Sequence, residues 1–321
     1  MSSNNMSNKN TFDRERSKKR FIEAATPYIF ISPWLAGLVI LTLGPLIFSL
    51  VMSFCDWPII GVSKFVGFGN YITLFTADEQ FYKSLAITFK FAAVFVPLNL
   101  FLALFLAMLI SRRLKGIKVF RAIFYLPSVV SSVAVAIIWG WILDSKHGIL
   151  NYALSLIGIE GPMWLLDVRW AFMAIVMASA WGVGTMMLIF YTDIRGIPND
   201  VFEAASIDGA SMVRQFTHIT IPIITPSILF NLITSIITSL QQLSLALLLT
   251  NGGPLRSTYF YGMFTYSNAF THHKLGYAAS SSWFMFLIIL MLTALVFRSS
   301  SAWVYYETEA RQIKKQRGAR S

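Results

Sequence analysis

Long apolar runs alternate with short polar connections along the chain. Six runs stand out, at about 28–54, 84–110, 119–143, 168–192, 222–249 and 277–297. A hydrocarbon core of roughly 30 Å takes about 20 helical residues to cross, so each run is predicted to be a spanning helix. Pro33, Pro45, Pro97 and Pro127 lie inside runs, where proline is tolerated, and each is expected to mark a kink. One stretch breaks the pattern. Residues 203–226 read EAASIDGASMVRQFTHITIPIITP, a polar insert of a few turns between the fourth and fifth runs.

Local chemistry predicts the shape of that insert. Ile197-Pro198-Asn199-Asp200 ends the fourth run, and Asp200 with Glu203 three residues on fits a capping box that starts a short helix. Val201, Ala204, Ala205 and Ile207 give it an apolar side. Asp208-Gly209 is a turn signal that stops it. A second short helix is expected over 210–218, with Met212, Val213 and Phe216 to pack, before Pro222 and Pro226 lead into the fifth run. A plain connection lying flat on lipid headgroups is the competing description.

Composition narrows the class. The chain has 321 residues, 56% hydrophobic and 13% charged, where a soluble domain carries roughly 25% charged. Net charge is +11, but the basic residues flank apolar runs instead of forming a nucleic-acid-sized patch. Lys9, Arg14, Arg16, Lys18, Lys19, Arg20, Arg112, Arg113, Lys115, Lys118, Arg121, Arg195, Arg214, Arg298, Arg311, Lys314, Lys315, Arg317 and Arg320 fall on one side; only Lys64, Lys83, Lys146, Arg169, Arg256 and Lys274 fall on the other. The positive-inside rule then places both termini and the 203–226 insert in the cytoplasm. Lys90, near the outer end of the second run, is expected to snorkel. Trp139, Trp141, Trp164 and Trp170 are expected at the outer interface as an aromatic belt. The polar first 26 residues lack the apolar core of a signal peptide; from Phe12 to Thr26 they form either a surface helix or a solvated tail. A single cysteine, Cys55, excludes a disulfide framework and a cysteine-based metal site. No G-x-x-x-x-G-K-[ST] occurs, so the chain has no P-loop. The expected fold class is an all-α polytopic membrane protein with six transmembrane helices.

The order E-A-A at 203–205, D-G-A at 208–210, Phe216, Ile219, Pro222 and Pro226 resembles the signature of bacterial ABC importer permeases. PYIFISPWLAGLVILTLGPLIFSLVMSF at 27–54, FVGFGNYITLF at 65–75, VFRAIFYLPSVVSSVAVAIIWGWIL at 119–143, LLLTNGGP at 247–254 and LGYAASSS at 275–282 resemble the sugar-uptake branch, similar to the maltose and glycerol-phosphate systems. The resemblance runs from about 27 to 305. It implies a type I permease domain over 27–305, with an ATPase-coupling elbow at 198–221, between an N-terminal tail at 1–26 and a basic C-terminal tail at 306–321. Glu203, Ala204, Ala205, Asp208, Gly209, Ala210, Ile219 and Pro222 match the coupling pattern residue by residue. The implied assembly has a second permease against helix 1, two ATPase subunits below and an extracytoplasmic solute-binding protein above, in a bacterial cell (inner) membrane. The chain itself would be a transport subunit and not a catalyst. ATP and magnesium would be held by the ATPase, with no cofactor in this chain.

No Asp, Glu, Arg or His lies mid-run, which disfavours an ion-coupled carrier, and no acidic or histidine constellation suits a membrane-embedded transferase. The fifth run is polar instead. It carries Asn231, Thr234, Ser235, Thr238, Ser239, Gln241, Gln242 and Ser244, with Ser235, Ser239 and Gln242 on one face. A neutral polar stripe suits a sugar, and the resemblance points the same way; adhesion between helices is the alternative. Ser235, Ser239, Gln241 and Gln242 are therefore candidate substrate-pathway residues, with Thr185 and Trp181 on the fourth run beside Gly182 and Gly184. His272 and His273, adjacent on an outer loop, read as solvated, and no metal site is expected. A sibling importer for another solute, such as a peptide or phosphate ester, is the nearest rival.

Overall fold

The computed structural model describes residues 26–111 and 116–305. The surface helix considered for 12–26 (apart from Thr26), the basic run at Arg112-Arg113 and Lys115, and the C-terminal tail lie outside the described residues. Three helices are long and apolar enough to cross a membrane singly, and three further pairs do so together with a sharp bend, making six spans when each pair counts as one. All six predicted runs fall on them.

Helix α1, Thr26–Ser53, is apolar on every side and little of it is covered by the rest of the chain. Its turns widen to π geometry at Leu38–Leu43. Pro45 follows after Gly44, and its missing N–H removes one ordinary helical bond there. The hairpin β1 (Cys55–Asp56) and β2 (Lys64–Phe65) closes the outer end. Asn70, in helix α2 (Gly69–Thr76), donates to the carbonyls of both Ser53 and Cys55 at 2.9 Å, so part of the FVGFGNYITLF motif serves to tie off α1.

Helix α3, Glu79–Ser111, is the axis of the bundle and stays helical through Pro97. Its buried residues recur every third or fourth position, and Ser84, Ala103 and Ala107 let neighbouring backbones approach closely. Phe91 and Phe95 stack at 5.0 Å on the same stripe.

The third run is not one rod. Helices α4 (Ile117–Val129) and α5 (Ser132–Ile142) meet at 106°. The break falls at Val130 and Ser131, both extended, and not at Pro127, which stays inside α4. Ser131 caps α5 by accepting from Ala134 N at 3.4 Å. After the outer helix α6 (Ile149–Leu156), the fourth run is a milder pair, α7 (Val168–Ala180) and α8 (Gly184–Gly196), bent by 47°. Gly184 stands at the closest approach of α8 to α4: a Cβ there would lie 2.5 Å from the Phe124 carbonyl oxygen and 2.7 Å from Tyr125 Cα.

Beyond the insert, built from α9 (Asn199–Ile207) and α10 (Met212–Ile223), comes α11 (Thr225–Leu240), turned 69° from α10. The fifth run therefore ends nine residues short of its predicted limit of 249, at Leu240; the chain breaks at 241–243 and resumes as α12 (Ser244–Leu249). Helix α13 (Tyr261–Tyr266) and the last span α14 (Leu275–Ser300) complete the bundle. Polar ties hold the outer end. Thr88 Oγ1 accepts from Tyr261 N at 2.8 Å, Tyr261 donates its hydroxyl to Ser281 O at 2.8 Å, and Tyr277 donates to Asp78 at 2.7 Å.

The tryptophan belt needs correction. Trp141 is exposed, but Trp164 is only 8% exposed, donating Nε1 to Asn151 Oδ1 at 2.6 Å and packing edge-on against Trp170. It is an interior residue of the outer cap.

Candidate functional site

Two features carry the chemistry: a cavity among α3, α7, α8 and α11, and the projecting elbow formed by α9 and α10.

The cavity measures about 510 Å³ and is lined by Phe91, Phe95, Asn99, Ser179, Gly182, Thr185, Met186, Ile189, Phe230, Asn231, Thr234, Thr238, Ser239, Gln242 and Leu245. None of these is charged. On α11 the lining stripe is Asn231, Thr234, Thr238 and Ser239, spaced by three, four and one residues, which keeps them on one flank of a helix. Thr234 and Thr238 donate to their own helix's carbonyls, at Phe230 O and Thr234 O, each at 2.9 Å. Gln242, released from helical geometry by the break after Leu240, donates Nε2 to Ser179 Oγ at 3.2 Å, a bridge from the fifth span to the fourth.

Of the candidate pathway residues, Ser239, Gln242 and Thr185 line this cavity. Ser235 is buried off it, and Gln241 is exposed beyond the end of α11. Trp181 packs edge-on against Trp139 at 6.2 Å, a structural contact away from the cavity. Asn99 and Ser179, which sequence reasoning did not single out, belong to the lining. A polar residue within an apolar run was the available signal, but α3 also carries Ser84, Thr88 and Ser111, and only packing shows that Asn99 and the single Ser179 of α7 face the same space.

The elbow begins differently from expectation. Helix α9 starts at Asn199 with Pro198 in the capping position and no side-chain cap, so Asp200 and Glu203 do not form the capping box. Both are exposed; Asp200 sits in the first turn, where a negative charge complements the helix dipole. The stop is as the Asp208-Gly209 signal implies. Gly209 has φ +76°, Ala210 N donates to Ala205 O at 2.9 Å, and Gly209 N donates to Ser206 O at 3.1 Å. That is a Schellman closure, which favours glycine at the left-handed position. Gln215 braces the two helices by donating Nε2 to Ser206 Oγ (3.0 Å) and Ala210 O (3.1 Å).

The second helix runs further than 218. Ser211 caps it, it widens to π geometry at Phe216–Thr220 around Ile219, and it continues through Pro222 to Ile223. Pro222 lacks the N–H that would bond His218 O, and Ile221 N reaches back to Phe216 O instead. The inner side of the elbow is anchored: Phe202 and Ile221 pack on a buried cluster that includes Phe190, Ile197 and Ile224. Its outer side carries Ile207, 87% exposed, with Met212 and Val213 each 72% exposed. Met212 and Val213 thus face outward instead of packing inward as expected. Ala204 and Asp208 share the exposed surface.

Thr225 sits at the bend between α10 and α11. It is buried, donates its hydroxyl to Pro222 O at 2.7 Å and accepts from Tyr305 N at 2.9 Å.

The chain is similar to known proteins in sequence and fold. Residues 99–306 match the family described as "Binding-protein-dependent transport system inner membrane component". The chain is 37% identical over 286 residues to the probable ABC transporter permease protein YesP of Bacillus subtilis, covering 88% of this chain and 92% of that one. It is 32% identical to the trehalose/maltose transport system permease protein MalF of Thermococcus litoralis, over 86% of this chain and 93% of that one. It is 34% identical to the lactose transport system permease protein LacF of Rhizobium radiobacter, over 88% and 95%. In fold it is similar to a chain of a bacterial alginate ABC transporter crystallised with an alginate pentasaccharide-bound periplasmic protein. That likeness has a TM-score of 0.78 at 22% identity, covering 88% of this chain and 96% of the other.

Proposed function

The chain belongs to the binding-protein-dependent transport system inner membrane component family, and we propose that it carries a neutral sugar or short oligosaccharide through the cavity among α3, α7, α8 and α11. It is a multi-pass permease subunit of an ABC importer, with ATP hydrolysed by a separate subunit. The observation that carries the sugar reading is the cavity lining: hydroxyl and amide groups from several helices, interleaved with Phe91, Phe95 and Phe230, and no charged side chain among the described lining residues. Hydroxyls need donors and acceptors without net charge, and aromatic faces suit the C–H side of a sugar ring. Relatives named for trehalose/maltose and lactose support the same reading.

The assembly follows the family. A binding protein delivers substrate at the outer face. The uncovered apolar surface of α1 packs against a second permease, and two ATPase subunits grip the elbows through Ile207, Met212 and Val213. Their approach on ATP binding is passed through α10 and the bend at Thr225 to α11, which lines the cavity. The basic flanks of the apolar runs support a cytoplasmic position for the elbow.

The test is uptake by cells expressing the full transporter, with a panel of labelled neutral mono- to tetrasaccharides. Uptake that stops on ATP depletion and survives a protonophore is expected. Uptake that persists without ATP and stops with the protonophore overturns the mechanism, and transport confined to peptides or small ions overturns the substrate class.

A further inference from the structure

Two groups in the cavity wall are left unpaired by the protein. Asn99 on α3 is 7% exposed and Asn231 on α11 is 1% exposed. Asn99 Oδ1, an acceptor, and Asn231 Nδ2, a donor, have no hydrogen-bond partner among the described residues, and both residues line the cavity. Many other buried polar side chains in the bundle satisfy themselves, and Ser235 Oγ, which is also without a partner among the described residues, lies off the cavity. Ser84, Thr88, Ser280 and Ser281 donate to carbonyls of their own helix, and Asn268 donates Nδ2 to Phe264 O at 2.9 Å. Asn99 offers its own Nδ2 only to the soft Met186 sulfur at 3.8 Å. Buried amides left open in this way are costly unless something else completes them, and the cavity beside them has room for a ligand.

Their position is informative. With α3 ending at Ser111 and α11 starting at Thr225, the two asparagines lie roughly 18 and 9 Å along their helices from the elbow-side ends. The Gln242–Ser179 bridge lies at the opposite end of the same lining.

We infer that Asn99 and Asn231 form a hydrogen-bonding subsite on the elbow side of the cavity for a neutral polyhydroxyl ligand. One hydroxyl hydrogen donates to Asn99 Oδ1, and one hydroxyl oxygen, the same or a neighbouring one, accepts from Asn231 Nδ2. A hydroxyl is both donor and acceptor and completes both groups. A carboxylate completes only Asn231 and an ammonium only Asn99, so the pair favours a ligand that both donates and accepts, as a hydroxyl does, over either ion. This subsite rests on the sugar reading above. It holds the ligand after delivery, during passage toward the elbow side, so its loss lowers transport per ATP and leaves delivery and coupling intact.

The experiment uses the whole transporter in vesicles with its ATPases and binding protein, and the best-carried sugar of the neutral panel as probe. Asn99→Leu and Asn231→Leu are each expected to lower uptake at saturating sugar by roughly 5- to 10-fold, the worth of one hydrogen bond. Binding-protein-stimulated ATP hydrolysis should stay within about twofold of the unmodified complex, since the elbow is untouched. The double variant should fall by less than the product of the two, because both groups hold one ligand. Unchanged uptake overturns the subsite. So does a parallel fall of uptake and ATP hydrolysis, which makes the pair a contact between helices. If the leucine variants do not accumulate in the membrane, Asn99→Thr and Asn231→Thr carry the test, with a smaller drop in uptake per ATP expected and no drop overturning it. If the unmodified complex carries none of the sugars, the sugar reading itself fails and takes the subsite with it.

Discussion

Gly209→Pro is the sharpest perturbation of the elbow. The native φ is +76°, whereas proline holds φ near −65°. The substitution also deletes the N–H that donates to Ser206 O at 3.1 Å. Together these cost about 3 kcal/mol or more, which depletes the native elbow conformation by roughly two decades. The damage is local: Phe202 and Ile221 still anchor the inner side, and no spanning helix contains the substituted residue. Gly209→Ala provides the calibration. A Cβ at 209 meets nothing within 4 Å, so alanine carries only the left-handed backbone strain, about 1–2 kcal/mol. The assay is sugar uptake and binding-protein-stimulated ATP hydrolysis in vesicles, with membrane content measured by immunoblot. Proline should lower both activities at least about tenfold at unchanged membrane content, since coupling is then limited by the rare native elbow. Alanine, depleting the native elbow by roughly 5- to 30-fold against two decades for proline, should lower them clearly less than proline does. Wild-type uptake by Gly209→Pro, or equal damage from alanine and proline, would refute the conformational argument.

Three further outcomes are expected. Ile207→Asp changes a side chain that is 87% exposed, so thermal stability should shift by less than about 0.5 kcal/mol while co-purification of the ATPase subunit drops sharply; retained co-purification refutes the docking role. Gly184→Val places Cβ 2.5 Å from the Phe124 carbonyl, backbone that cannot rotate aside, and should destabilise by about 1–3 kcal/mol, read as a lower unfolding temperature in detergent. Thr225→Val keeps the side-chain shape but loses the bonds to Pro222 O and from Tyr305 N. It should cost about 1–2 kcal/mol and make the segment after Ser300 more sensitive to protease.

Much was legible in the chain before any coordinates. Hydropathy sums over consecutive residues, so the six runs and their lengths follow from composition alone, and the spans fall on them. Gly209 was legible too, because a left-handed helix stop is a property of one residue and its immediate bonds. The capping box was not: Pro198 set the start of α9 one residue before Asp200, and the side-chain pattern around it went unused. Nor were the breaks at Ser131 and after Leu240, because the short polar pairs there, Ser131-Ser132 and Gln241-Gln242, sit inside runs whose hydropathy stays high and carries no information about direction. The outward position of Met212 and Val213 was equally hidden, since an apolar side chain pointing into a core and one pointing at a partner look the same in sequence.

The amino-acid order alone therefore established a six-span membrane protein with a polar elbow and a polar fifth helix, because burial in lipid and local turn chemistry depend on short stretches of chain. Which polar residues share one cavity required the packed bundle. Asn99, Ser179, Thr185, Asn231 and Gln242 come from three separate spans, and only the crossing of α3, α7, α8 and α11, with the bends between them, brings them around one space while leaving Gln241 and Trp181 outside it.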